Sequence, residues 1–75
     1  MPRRPDPRLV RVGRRIRVLR EAAGLSQEKL SERAGLHRTY MSAVETGRRN
    51  ASVLNLWRIA DALKVSPAAF FEEDK

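Results

Sequence analysis

With 75 residues, no cysteine and one histidine, the chain has room for one domain and lacks the side chains for disulfides or a histidine-based metal centre. Its net charge of +7 is uneven: residues 1–20 hold eight arginines against one aspartate, residues 21–71 are nearly balanced, and residues 72–75 are acidic. Such a basic end points to a polyanion, either nucleic acid or an anionic membrane surface, while the lack of any run near the roughly 20 apolar residues of a membrane span argues for a cytoplasmic chain.

The first segment, MPRRPDP, has three prolines in seven residues and is expected to form a flexible basic arm over 1–7. Arg3 and Arg4 in such an arm either track a minor groove, as homeodomain arms do, or stay disordered; disorder is the expectation. No apolar stretch follows, so it is not a secretory signal. From Arg8 to Ala23 the apolar residues Leu9, Val12, Ile16, Leu19 and Ala23 recur at steps of three and four, one face of a helix. Gly24 ends it. Ser26 caps a second helix, Gln27–Ala34, with Leu25 and Leu30 at the hydrophobic-staple positions. Gly35 stops that helix.

A third helix is expected from His37 or Arg38 to Thr46, with Met41 and Val44 inward, Tyr40 partly covered, and Gly47 closing it. After the loop RRNAS, Ser52 caps a fourth helix to Leu63 or Lys64, with Leu56, Ile59, Ala60 and Leu63 inward. Ser66-Pro67 opens a fifth helix that carries Phe70 and Phe71 near its end. Residues 72–75 are expected to be a frayed, solvated acidic tail. No strand alternation or repeat occurs. The expected fold is all-α, five short helices over residues 8–71.

The second and third helices carry the functional signal. They are separated by about three residues with a glycine in the turn, which forces a steep crossing, as in a helix-turn-helix. In such a unit the second helix presents its N-terminal side chains to the DNA major groove. Arg38 can donate a bidentate pair to guanine, and Thr39 offers a methyl and a hydroxyl. Ser42 lies one turn beyond Arg38, and Ala43 one turn beyond Thr39. Gln27 stands at the first turn of the second helix, where backbone N–H groups favour a phosphate.

The run GLSQEKLSERAGLHRTYMSAVETGRRNAS, followed by LWRIADALKVSPAAFF, resembles the Cro/CI-type (XRE) helix-turn-helix domain over roughly residues 9–71. The pieces that carry the likeness are Gly24-Leu25-Ser26-Gln27 with Leu30, Ala34-Gly35, Glu45-Thr46-Gly47, and Leu56–Leu63 followed by Val65-Ser66. HRTYMSAVETGRRN looks most like the controller proteins of restriction–modification systems. The resemblance implies a compact lambda-repressor-like bundle and a transcriptional regulator that binds double-stranded DNA as a homodimer. It implies base reading by Arg38, Thr39, Ser42 and Ala43. It implies backbone contacts from Gln27, His37, Tyr40, Arg48, Arg49 and Asn50, and a structural ion pair between Arg20 and Glu45. Two positions depart from the pattern: Ala43 replaces a polar base reader of some relatives, and Ala51 stands where many have proline.

A chain of this size buries only about 60% of its unfolded surface, so oligomerisation is the expected source of added stability. Trp57, Leu63, Val65, Phe70 and Phe71 are the expected dimer surface, with core packing the alternative for Trp57, Phe70 and Phe71. RNA polymerase is a possible further partner. The alternative function is an antitoxin-type autorepressor that also binds a toxin protein. Membrane-surface binding through the first helix is disfavoured, because its apolar stripe is needed for the core. No acid–base constellation supports an enzyme, and no metal or other cofactor is expected.

Overall fold

The computed structural model describes residues 4–73. Arg3 of the expected arm, and Asp74 and Lys75 of the expected tail, lie outside the described residues. The described chain forms α1 (Pro7–Ala22), α2 (Gln27–Ala34), α3 (Arg38–Glu45) and α4 (Val53–Leu63), then a 3₁₀ turn at Pro67–Phe71. No described residue is in a strand, and no helix of the described residues is long and apolar enough to cross a membrane.

Each start has a local cause. Ser26, Ser52 and Ser66 have extended backbones, and their hydroxyls accept the N–H of Lys29, Asn55 and Ala68. α1 begins earlier than expected: the Asp6 carboxylate accepts Arg8 N–H at 2.8 Å, with Pro7 in the first helical position. Asp6 is therefore the N-cap of the helix and Pro7 its first residue. The Arg8 guanidinium, then its backbone N–H, holds the Asp6 carboxyl at about 2 against its usual 3.8.

The expected fifth helix is instead a five-residue 3₁₀ turn. Ala69 N–H bonds to Ser66 carbonyl three residues back, and the Ala69 carbonyl accepts Arg15 Nε from α1 at 3.0 Å. That side-chain bond fastens the turn to α1, and Glu72 returns to extended backbone. The first acidic residues beyond it also lie on α1, with Glu72 3.5 Å from Arg15 and Glu73 3.6 Å from Arg11.

α1 packs across α3 and the 3₁₀ turn, while α2 packs on α3 and α4. The core between them contains Ile16, Leu30, Met41, Val44, Ile59, Ala60 and Phe70. Leu19, Leu25, Leu36, Leu56 and Val65 pack around it half-buried. Ala23 departs from expectation: it caps α1 and is exposed. Gly13, which lies outside the expected stripe, is buried. A Cβ at Gly13 would meet the Val44 carbonyl and stand 2.6 Å from that of Glu45. Gly47 is similarly tight against Val10 of α1, its notional Cβ 2.8 Å from Val10 Cα. The end of α3 is thus pressed onto α1, which fixes the direction of α3.

Candidate nucleic-acid interface

The turn between α2 and α3 rests on Gly35, whose φ of +70° is open to glycine at little cost. Leu36 N–H reaches back to the Ser31 carbonyl at 2.9 Å, which closes α2 before α3 begins. His37 then caps α3, its Nδ1 accepting Thr39 N–H at 3.2 Å. The result is two helices of eight residues each joined by a short turn, with the start of α3 exposed.

One buried network holds this pair to the body. The Glu45 carboxylate accepts Arg20 Nε at 2.7 Å and Arg20 Nη2 at 3.1 Å. Arg20 also donates to the Leu25 carbonyl at 2.8 Å, and Gln27 Nε2 donates to Glu45 Oε1 at 3.0 Å. The Glu45 side chain is 1% exposed and that of Arg20 is 11% exposed. The hydrogen bonds that Arg20 donates to Glu45 raise the Arg20 pKa above its usual value, against the opposing effect of burial. One carboxylate thus ties α1, the first residue of α2 and the last of α3 together. It also sets the amide of Gln27: one N–H goes to Glu45, and the second remains for a ligand.

On the open side, Gln27, Arg38, Thr39, Ser42, Ala43, Thr46 and Arg48 line one shallow depression of about 520 Å³. All of the expected base readers lie on it, together with Gln27 and Arg48. Thr46 was missed by sequence reasoning. Its hydroxyl bonds to the Ser42 and Ala43 carbonyls, and its place four residues beyond Ser42 was the available signal. A second hollow of about 160 Å³ lies beside the first, lined by Thr39, Tyr40, Ala43 and Arg49. Neither lining contains an acidic side chain, and Arg38, Arg48 and Arg49 are exposed. The face can therefore receive an anion without displacing an acid from either lining. His37 and Asn50 are exposed and line neither hollow.

The expected dimer surface divides. Leu63 is 8% and Phe70 1% exposed, so both are consumed by the core of the single chain. Their apolar side chains complete the contact between α4, the 3₁₀ turn and the body, which leaves little for a partner. Val65 is half-buried, while Trp57 is 52% and Phe71 61% exposed. Val53 and Leu54, which sequence reasoning missed, are exposed on α4 beside Trp57. Their spacing of three and four residues from Trp57 was the signal. Among the described residues, no three or more His, Cys, Asp or Glu side chains gather as a metal site.

A tight two-helix unit whose second helix exposes a basic, hydrogen-bonding face defines a helix-turn-helix DNA-binding domain. Residues 16–70 match the helix-turn-helix family. The Control protein C.BamHI of Bacillus amyloliquefaciens is 45% identical over 56 residues, spanning 73% of this chain and 69% of that protein. The Control protein C.MunI of a Mycoplasma species is 37% identical over 65 residues, 85% and 88% of the two chains. Among solved structures, the restriction-modification controller protein C.AhdI from Aeromonas hydrophila superposes with a TM-score of 0.83 at 48% identity, covering 84% of this chain and 96% of that one. C.Esp1396I bound to a 19 base pair DNA duplex gives a TM-score of 0.81 at 35% identity, over 88% of each chain. The chain belongs to the XRE-type helix-turn-helix family of DNA-binding transcriptional regulators, and restriction–modification controller proteins are among its relatives.

Proposed function

We propose that this chain is a restriction–modification controller: a sequence-specific double-stranded DNA-binding regulator that acts in the cytoplasm as a homodimer on a pseudo-palindromic operator. The observation that carries the reading is the acid-free depression on which Gln27, Arg38, Thr39, Ser42, Ala43 and Arg48 converge. Arg38 and Thr39 read base edges from the first turn of α3, with Ser42 and Ala43 one turn behind. Gln27 gives its second amide N–H to a phosphate, and Arg48, Arg49 and Asn50 flank the backbone from the following loop. A unit this small reads only a few base pairs, so two copies on half-sites about 10 base pairs apart supply the needed affinity. Val53, Leu54 and Trp57 of α4, with Phe71, are the most exposed large apolar residues among the described ones and form the surface for pairing, while Val10 and Val18 of α1 are exposed to a smaller extent. Action at a promoter would bring in RNA polymerase. A toxin gene beside this one, in place of methyltransferase and endonuclease genes, would mark an antitoxin instead.

Selection of bound duplexes from a random pool, with stoichiometry measured, tests this reading. A two-fold symmetric site carrying two chains is expected; a pool with no enrichment overturns sequence-specific binding. On the selected site, Arg38→Ala should lose discrimination at one base pair, worth roughly 1–3 kcal/mol. Equal weakening on the selected site and on random DNA would remove Arg38 from base reading.

A further inference from the structure

The smaller hollow is held from behind by α4. The Tyr40 hydroxyl accepts a hydrogen bond from Asn55 Nδ2 at 3.0 Å. Asn55 Oδ1 in turn accepts from Arg58 Nη1 at 3.3 Å. On the other side, the Arg49 guanidinium lies over the Tyr40 ring, 5.4 Å from its centroid. The side chain of Asn55 is not needed to start α4, because the Ser52 hydroxyl already accepts its backbone N–H at 3.0 Å.

The direction of these bonds decides what Tyr40 can do. A guanidinium only donates, so Arg58 fixes the amide oxygen of Asn55 on its own side and turns the amide nitrogen toward Tyr40. A phenol that accepts from an amide still has its own proton to give, and that proton points away from the amide. The hollow in front of it, lined by Thr39, Tyr40, Ala43 and Arg49, contains no acceptor side chain except the Thr39 hydroxyl. The chain Arg58→Asn55→Tyr40 is thus polarised outward, and it ends beside a second donor, Arg49.

We propose that Asn55 is a positioning residue for DNA binding: it orients the Tyr40 hydroxyl so that its proton is presented to a backbone phosphate held jointly with Arg49. This rests on the DNA-binding reading above and extends it to a residue on a different helix, outside the helix-turn-helix. It also connects the phosphate contact to α4, where Arg58 adjoins the exposed Trp57.

The test is a double-mutant cycle on the selected duplex at fixed salt, with wild type, Asn55→Ala, Tyr40→Phe and the double variant. Loss of a hydrogen bond to a charged group predicts about ten- to hundredfold weaker binding for Tyr40→Phe. Asn55→Ala should lose part of that, and the double variant should bind no worse than Tyr40→Phe alone. The dependence of affinity on salt should stay unchanged in all four, because a neutral phenol releases no counterion. Thermal unfolding midpoints should stay near that of wild type, which separates lost positioning from lost folding. The relay is overturned if Asn55→Ala binds like wild type, or if the double variant loses the product of the two single losses. A wild-type chain that selects no duplex at all would instead remove the DNA-binding reading, and this proposal with it.

Discussion

At the scale of single residues, the position of most consequence is Glu45. Its carboxylate is the shared acceptor for Arg20 and Gln27. A buried ion pair is not in itself a large source of stability, since desolvation offsets much of the attraction. Removing one partner is different, because the other charge stays buried without compensation. Glu45→Ala should therefore cost about 3–5 kcal/mol, chiefly through the stranded Arg20 guanidinium. In a domain of this size each kcal/mol moves the unfolding midpoint by about 4–8 °C. A fall of more than about 10 °C is expected by circular dichroism, and a fall of only a few degrees would show that Arg20 is re-solvated. Arg20→Met together with Glu45→Leu should recover much of the loss, since an apolar pair of similar volume is often tolerated at such a site.

The elements show how much of this molecule could be read from its sequence. Four helices and their turns were legible, because each has a side-chain cap or a glycine at its end, and those signals act locally. The set that lines the larger depression was legible for the same reason: Arg38, Thr39, Ser42 and Ala43 are neighbours on one short helix, and helical spacing alone puts them together. What was not legible depends on another element. The last helix is a short 3₁₀ helix, and it is tied to Arg15, more than fifty residues away, which donates to the Ala69 carbonyl. Leu63 reads both as an inward residue and as a dimer candidate, and Phe70 as core or dimer face, because the choice is decided by how α4 and the turn dock. Gly13 carries no signal in the sequence, although it sets the distance between α1 and α3. Gly13→Ala is the test of that distance. Helix propensity alone would favour alanine by about 1 kcal/mol. Against it, the new methyl would press on the carbonyls of Val44 and Glu45, and backbone atoms cannot swing aside as a side chain would. Overpacking of this kind costs typically about 1–3 kcal/mol, so net destabilisation is expected in a denaturant titration. DNA affinity should fall as well, because the shifted residues include Glu45. A variant more stable than wild type would mean that α1 moves freely away from α3.

At the scale of the whole molecule, dimensions bear on the assembly. The chain measures 35 × 29 × 21 Å. Half-sites one helical turn apart on B-form DNA are about 34 Å from centre to centre. In the proposed dimer, two copies side by side would place one α3 in each of two successive major grooves, provided that they meet through a face between them. Trp57 tests whether α4 is that face. Because it is 52% exposed in the single chain, Trp57→Lys should change the folding free energy of the monomer by no more than about 0.5 kcal/mol. In sedimentation equilibrium the variant should have half the mass of the wild type. Each phosphate neutralised contributes about 0.9 to the slope of log affinity against log salt. A monomer touching one half-site should then show about half the wild-type slope, as well as weaker binding. An unchanged mass and an unchanged slope would exclude α4 from the interface and move the pairing to the exposed apolar residues elsewhere among the described ones, Val10, Val18 and Phe71. A halved mass with an undiminished slope would separate dimerisation from DNA contact, and would leave each copy reading its half-site independently.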